Sequence, residues 1–186
     1  MKSYLITDPV YYTNKPKIFK EKLFYILQQH NIDFICFRDK ISLNYAELAS
    51  IFVTITKKHH IKNIFINQHI DLAYKLKATG VHLTSTQFDQ ITYAKNLGLK
   101  VIISCHNELD IQNAIENKAD YITYSPIFNT PNKGKPKGIE QLDYIIKKYN
   151  IKIFALGGIV SYNQIKQLNK IKPYGFASIR YFYSKS

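Results

Sequence analysis

Residues 100–125 read KVIISCHNELDIQNAIENKADYITYS, and the fold is decided there. Lys100–Cys105 and Tyr121–Ser125 are β-branched, apolar runs of strand length, and the polar Glu108–Asn117 between them carries a helical period. Two strands joined by a helix-length crossover must run parallel, because an antiparallel pair needs only a short turn.

Working outward, the same unit recurs. Ser3–Asp8, Asp33–Arg38, Ile64–Asn67, Val81–Leu83, Lys152–Leu156 and Gly175–Ile179 are further strands. Helical segments lie between them: Lys17–His30, one capped by Ser42 through Lys58, Asp71–Lys77, one after Ser85 ending at Leu97 with Gly98 as its stop, Glu140–Tyr149 and Ser161–Asn169. Eight such repeats predict an α/β protein, a compact (β/α)8 TIM barrel, ahead of a doubly wound open sheet. The chain of 186 residues is the size of one domain, 1–186. At about 23 residues per unit the barrel is small, and only Tyr181–Ser186 follow the last strand, so the final helix is expected to be short or missing. Apolar surface near Phe176 and Phe182 would then need cover from a partner subunit, which predicts a homodimer.

Composition narrows the function. Apolar residues at 46% and charged residues at 21% fit a globular chain and exclude disorder. No apolar run reaches the roughly 18 residues of a membrane span, and Met1–Asp8 reads as a strand rather than a leader, so a cytoplasmic protein is expected. Cys36 and Cys105 are the two cysteines and neither sits in a C-x-x-C pair, which excludes a disulfide framework and a cysteine zinc site. Lysine and arginine total 26 against 13 acidic residues. Only Arg38 and Arg180 are arginines, and the lysines spread over nearly every helix, so the excess fits solvated helix faces and an anionic small molecule, not nucleic acid.

In such a barrel the chemistry gathers at the C-terminal ends of the strands. After the second strand, alternation puts Cys36, Arg38 and Lys40 on one side, and the two cations suit a phosphate or pyrophosphate; the competing reading is an Arg38–Asp39 ion pair. Asn67 ends the third strand and offers a ring both a donor and an acceptor. Asp71 starts a helix, and His69 with Asp71 lacks metal-site spacing. His82 reads as a hydrogen-bonded barrel residue. Ser104 and His106 share a side, and His106 is the strongest acid–base candidate, against a simple helix-capping role. A Cys36–His106 nucleophilic pair is a lesser alternative. The loop from Ser125 to Gly138 is long enough for a lid, with Thr130 and Lys133 in reach of an anion and Lys135 and Lys137 solvated. Gly157 and Gly158, with the backbone of Ser178 and Ile179, form a candidate phosphate cradle.

The order of these motifs resembles the thiamine phosphate synthase/TenI family. Tyr4–Asp8 is similar to its Y-x-I-T-D, Arg38-Asp39-Lys40 to R-E-K, Gly80-Val81-His82-Leu83 to G-V-H-L, and Ser104-Cys105-His106 to S-V-H. Pro126–Lys133 is similar to P-I-F-x-T-x-T-K, with Asn132 in place of the second threonine, and Gly157-Gly158-Ile159 to G-G-I. The resemblance implies a TIM barrel acting on a phosphorylated thiazole by one of two chemistries. One is a transferase, thiamine phosphate synthase, which joins a pyrimidine pyrophosphate to a thiazole phosphate with Mg2+. The other, in the TenI branch, is a thiazole tautomerase that aromatises a thiazole carboxylate phosphate without a cofactor. The synthase branch shows Q-x-R-x-K, N-D-R and G-Q-x-D where this chain has Cys36, Gln68 and Thr84-Ser85-Thr86-Gln87. Neutral groups thus stand where the resemblance implies metal carboxylates, and no metal site is expected. The matching His106 makes the tautomerase the expected function, with the synthase and a catalytically silent, ligand-binding barrel as alternatives.

Overall fold

The computed structural model describes residues 1–183. Its strands are β1 (Lys2–Ile6), β2 (Phe34–Phe37), β3 (Asn63–Asn67), β4 (Gly80–Leu83), β5 (Lys100–Cys105), β6 (Tyr121–Tyr124), β7 (Lys152–Leu156) and β8 (Gly175–Ser178). Each pairs in parallel with its sequence neighbours, and β1 closes the ring on β8 through Lys2↔Gly175 to Leu5↔Ser178. The expected TIM barrel is the observed one.

The helices are α1 (Pro9–Tyr12), α2 (Pro16–Gln29), α3 (Tyr45–Lys58), α4 (Ile70–Lys75), α5 (Ile91–Asn96), α6 (Glu108–Glu116), α7 (Gly138–Lys148), α8 (Tyr162–Ile171) and α9 (Arg180–Tyr183). Their starts follow local chemistry. Pro16 sits in the first turn of α2, Asn107 accepts the Asp110 N–H at α6, and Ser161 with Gln164 forms a reciprocal cap on α8.

Alternation along the strands makes two cores. Leu5, Ile35, Val81, Ile103 and Ile153 face the helices. Tyr4, Phe34, Phe65, Tyr121 and Phe154 face the barrel axis, where Phe154 lies 5.1 Å from Tyr4 and 5.0 Å from Phe34, ring centre to ring centre. Glycines on β4 and β8 admit these rings: a Cβ at Gly80 would meet the Phe65 ring at 2.6 Å, and one at Gly175 the Phe154 ring at 2.5 Å. The aromatic plug closes the barrel below the C-terminal strand ends.

Several sequence expectations shift. α3 begins at Tyr45, not beside Ser42, because Asp39 Oδ1 accepts the Ile41 and Ser42 N–H groups and holds them in a turn. The segment after Ser85 first makes a 3-10 turn, Phe88–Gln90, before α5. Asp71 lies inside the first turn of α4, whose cap is His69. The last helix is one turn long, and Ser184, Lys185 and Ser186 lie outside the described residues. That turn folds back on the barrel: the Phe176 and Phe182 rings stack at 5.7 Å and are 6% and 3% exposed in the single chain. The surface that motivated a homodimer is therefore covered by the chain itself. No helix among the described residues is long and apolar enough to cross a membrane.

Candidate active site

Above the aromatic plug a cavity of about 650 Å³ opens at the C-terminal ends of the strands. Arg38, Lys40, Asn67, Ser104, His106, Thr130, Lys133, Gly157, Gly158, Ser178 and Ile179 all line it, so the residues singled out from six separate segments meet in one place.

β5 carries His106 to the rim just before α6. Asn107, not His106, caps that helix, which removes the capping role for the histidine. Its Nδ1 lies 3.2 Å from the Ser125 carbonyl oxygen and 3.3 Å from Ser125 Oγ. A carbonyl only accepts, so the bond to it is made in the tautomer with the proton on Nδ1, which leaves Nε2 its lone pair; the Ser125 hydroxyl instead donates to Nδ1 in the other tautomer. The backbone N–H of His106 donates to Asp110 Oδ2 at 2.6 Å and fixes the base of the side chain.

His82, one strand away, is built in the opposite way. Its Nδ1 is 2.8 Å from the Tyr4 hydroxyl and its Nε2 is 3.2 Å from Ser104 Oγ, so both ring nitrogens are engaged inside the barrel. Burial, aided by the nearby Arg38 charge, pushes the imidazole down to about 3 and keeps it neutral. Thr123 adds a 3.4 Å bond to Ser104 Oγ. Asn67 donates from Nδ2 to the His82 carbonyl at 2.8 Å, and its Oδ1 has no partner among the described residues.

Arg38 and Lys40 both line the cavity, but the ion pair read for Arg38 is corrected. Arg38 pairs with Asp8 at 2.5 Å, not with Asp39, which is committed to the β2–α3 turn. Asp8 also caps α1 through the Val10 N–H. Sequence reasoning passed over Asp8 as a functional group, although its place at the end of β1 was the available signal. Lys40 is held below the usual lysine range, first by Arg38, then by burial and by Lys133. Three cations against one carboxylate leave a local positive excess that a bound anion would relieve.

The β6–α7 loop hangs over this side. Thr130 Oγ1 donates to the Phe128 carbonyl at 2.9 Å, so its hydroxyl is already used to shape the loop. Lys137 is not simply solvated; its ammonium sits 5.1 Å from the Tyr124 ring centre. Gly157 and Gly158 have φ of +99° and +69°. A Cβ at Gly157 would strike Pro126 at 2.7 Å and one at Gly158 the Asn129 carbonyl at 2.5 Å, so glycine is required there first by the loop that packs on it. Ser178 Oγ donates to the Ile159 carbonyl at 2.7 Å and accepts the Tyr181 N–H at 3.1 Å, tying the β7 and β8 loops together.

Cysteine chemistry is not supported. Burial pushes the Cys36 thiol up to about 12, and Cys105, also raised by burial, faces the helices, so neither presents a thiolate to His106. A magnesium site fits poorly too. Gln87 Oε1 accepts from the Thr84 N–H and hydroxyl, both at 3.1 Å, while its Nε2 donates to Gln90 Oε1 at 2.9 Å and to the Gln68 carbonyl at 3.5 Å. The Gln87 amide is neutral and already engaged at both ends. His69 packs on Tyr45, Asp71 accepts from Tyr93, and among the described residues no cluster of three His, Cys, Asp or Glu side chains is placed to hold an ion.

Comparison with known proteins agrees with this architecture. The chain is 31% identical over 182 residues to thiamine-phosphate synthase from Prochlorococcus marinus (strain AS9601), covering 88% of this chain and 51% of that protein. It is 34% identical over 139 residues to "Putative thiamine-phosphate synthase 2" of Aquifex aeolicus, covering 73% and 74% of the two chains. The chain thus spans only about half the length of the Prochlorococcus protein. Among solved structures, "Thiamine phosphate pyrophosphorylase" from Pyrococcus furiosus superposes with a TM-score of 0.79 over 96% of this chain and 85% of that one, at 24% identity. The family described as thiamine monophosphate synthase matches residues 3–182, from the first strand to the last turn, and the chain belongs to this thiamine monophosphate synthase/TenI family.

Proposed function

We propose that the protein binds a phosphorylated thiazole at the barrel mouth and moves a proton on its ring without a metal, as a thiazole tautomerase. The observation that carries this reading is the Nδ1–H bond of His106 to the Ser125 carbonyl, which leaves Nε2 free to act as a base at the rim. Nε2 takes a proton from a ring carbon, the electron pair of the broken C–H bond moves into the ring system, and the imidazolium returns the proton to a second carbon. The Ser125 carbonyl accepts from the imidazolium as it did from the imidazole, so the ring keeps its orientation throughout. Arg38 and Lys40 stabilise negative charge on the carboxylate side of the substrate, and the Gly157–Gly158 and Ser178–Ile179 backbone holds the phosphate. No step is routed through Mg2+, because the Gln68 and Gln87 positions supply no charge to bind it.

The names of the relatives favour the transferase reading, in which a pyrimidine pyrophosphate and a thiazole phosphate are joined. One paired assay separates the two. The pure protein is given the thiazole carboxylate phosphate tautomer and, separately, both transferase substrates with Mg2+. Metal-independent aromatisation that is lost in His106→Ala supports the proposal. Mg2+-dependent release of pyrophosphate establishes the transferase instead, and tight binding without turnover of either set leaves a silent binder.

A further inference from the structure

The β7–α8 loop is held by the helix-cap side chain Gln164. Gln164, in the first turn of α8, engages both ends of its amide. Oε1 accepts the Val160 N–H at 2.8 Å and the Ser161 N–H at 3.0 Å, and the Ser161 hydroxyl at 3.1 Å. Nε2 reaches back out of the helix and donates to the Gly158 carbonyl at 2.7 Å. A capping box accounts for the Ser161 bonds, but not for the bond to Gly158, which lies outside the helix.

That extra bond has a directional consequence. The Gly158–Ile159 peptide is trans, so its C=O and N–H point in opposite directions. With the carbonyl drawn toward α8, the Ile159 N–H faces away from the helix. No described residue accepts from this N–H, although Ile159 is 1% exposed and lines the cavity. A buried amide hydrogen without a partner is costly unless a ligand supplies one. Gly158, at φ +69°, has conformational freedom to turn its peptide the other way, and the Gln164 bond removes that freedom.

We infer that Gln164 is a positioning residue for anion recognition: it clamps the Gly158 carbonyl so that the Ile159 N–H is preset toward the phosphate of the ligand. The inference rests on the phosphate cradle of the proposed function and adds the residue that orders it. Gln164 touches no substrate; it acts through the peptide it holds.

The test separates clamping from capping. Inorganic phosphate is titrated into the 15N-labelled protein while the amide signals of Gly158 and Ile159 are followed, and KM and kcat are measured for whichever substrate turns over. Gln164→Met keeps length and helix propensity but cannot donate to Gly158. Ser161→Ala removes the capping hydroxyl and leaves the clamp. Loss of one amide bond to a charged phosphate weakens binding about tenfold, so Gln164→Met should raise Kd for phosphate and KM by about that factor with kcat little changed. Ser161→Ala should lower thermal stability while leaving Kd within about twofold. Equal phosphate affinity in Gln164→Met and wild type, with the Ile159 signal still shifting, overturns the role of Gln164 alone. Phosphate binding that never moves the Gly158 and Ile159 signals in the wild type overturns the cradle and the clamp together.

Discussion

The floor of the barrel and its mouth are built from the same eight strands, yet they obey different rules. In the floor, Tyr4, Phe34, Phe65, Tyr121 and Phe154 fill the axis and are placed by size, with Gly80 and Gly175 making room. At the mouth, residues are placed by which hydrogen-bond partner each has left. The two histidines mark the border. His82, on β4, spends both nitrogens on Tyr4 and Ser104 and is held neutral; His106, past the end of β5, spends one on Ser125 and keeps the other. One step from interior to rim turns the same imidazole from a structural group into a base.

The sharpest way to break this contrast is at His106. His106→Gln keeps a polar side chain but no titratable nitrogen, and general-base loss of this kind lowers turnover by about 10²- to 10⁴-fold. The denaturant midpoint should stay near wild type, because no core ring is touched. Steady-state rates and a urea curve on the same sample measure both, and a large stability loss with normal turnover per folded molecule would reverse the assignment.

The floor should respond the other way. Phe154 contacts Tyr4, Phe34, Tyr121 and Tyr174, so Phe154→Ala leaves a cavity among rings that cannot collapse into it. The expected cost is about 3–5 kcal/mol of unfolding free energy, read from the drop in the urea midpoint, with substrate affinity of the remaining folded protein unchanged.

How far the sequence disclosed each region follows the same division. The strand order was legible because apolar, β-branched runs recur and crossover length dictates parallel pairing; the filling of the floor by rings such as Tyr4, Phe34 and Phe154 was not read from the sequence. The mouth was legible in membership, since strand ends collect in one place whatever their partners. Pairing was not legible. Arg38 has Asp39 beside it in sequence but Asp8 beside it in space, because Asp39 is consumed by a local turn. Likewise the tautomer of His106 depends on a carbonyl 19 residues away, and backbone carbonyls leave no mark on composition. The cover over Phe176 comes from Phe182 in the same chain, which the turn Arg180–Tyr183 places against it.

Acid titration probes the buried histidine of the pair. His82 has its folded value pushed down to about 3 from an ordinary 6.5, so between these limits the unfolded chain binds a proton that the folded chain refuses. Stability is therefore full above about 6.5 and falls as pH drops through the window, by up to about 1.4 kcal/mol per pH unit from this group. His82→Gln, measured by urea unfolding from pH 7 to pH 4, should be less stable at neutral pH but show a shallower acid loss. An unchanged slope would mean that another group governs the acid limb.

The smallest expected effect concerns metal. In the wild type, EDTA should change turnover by less than about twofold, because Gln68 and Gln87 are neutral, with Gln87 already bonded to Gln90 Oε1 and the Gln68 backbone carbonyl, and they give a hard cation no charge to replace its water. The double change Gln68→Asp with Gln87→Asp removes the bonds of the Gln87 amide and introduces two carboxylates, one just after β3 and one at the start of the Phe88–Gln90 turn. If these positions face a common point, the variant should broaden water relaxation on Mn2+ titration where the wild type does not. A wild type that already binds Mn2+ at the mouth would show that the rim cations and amides hold an ion through a bound anion's oxygens. The line between a metal-free mouth and a sealed floor would then have to be redrawn at Asp8, the one carboxylate among the described residues that line the cavity.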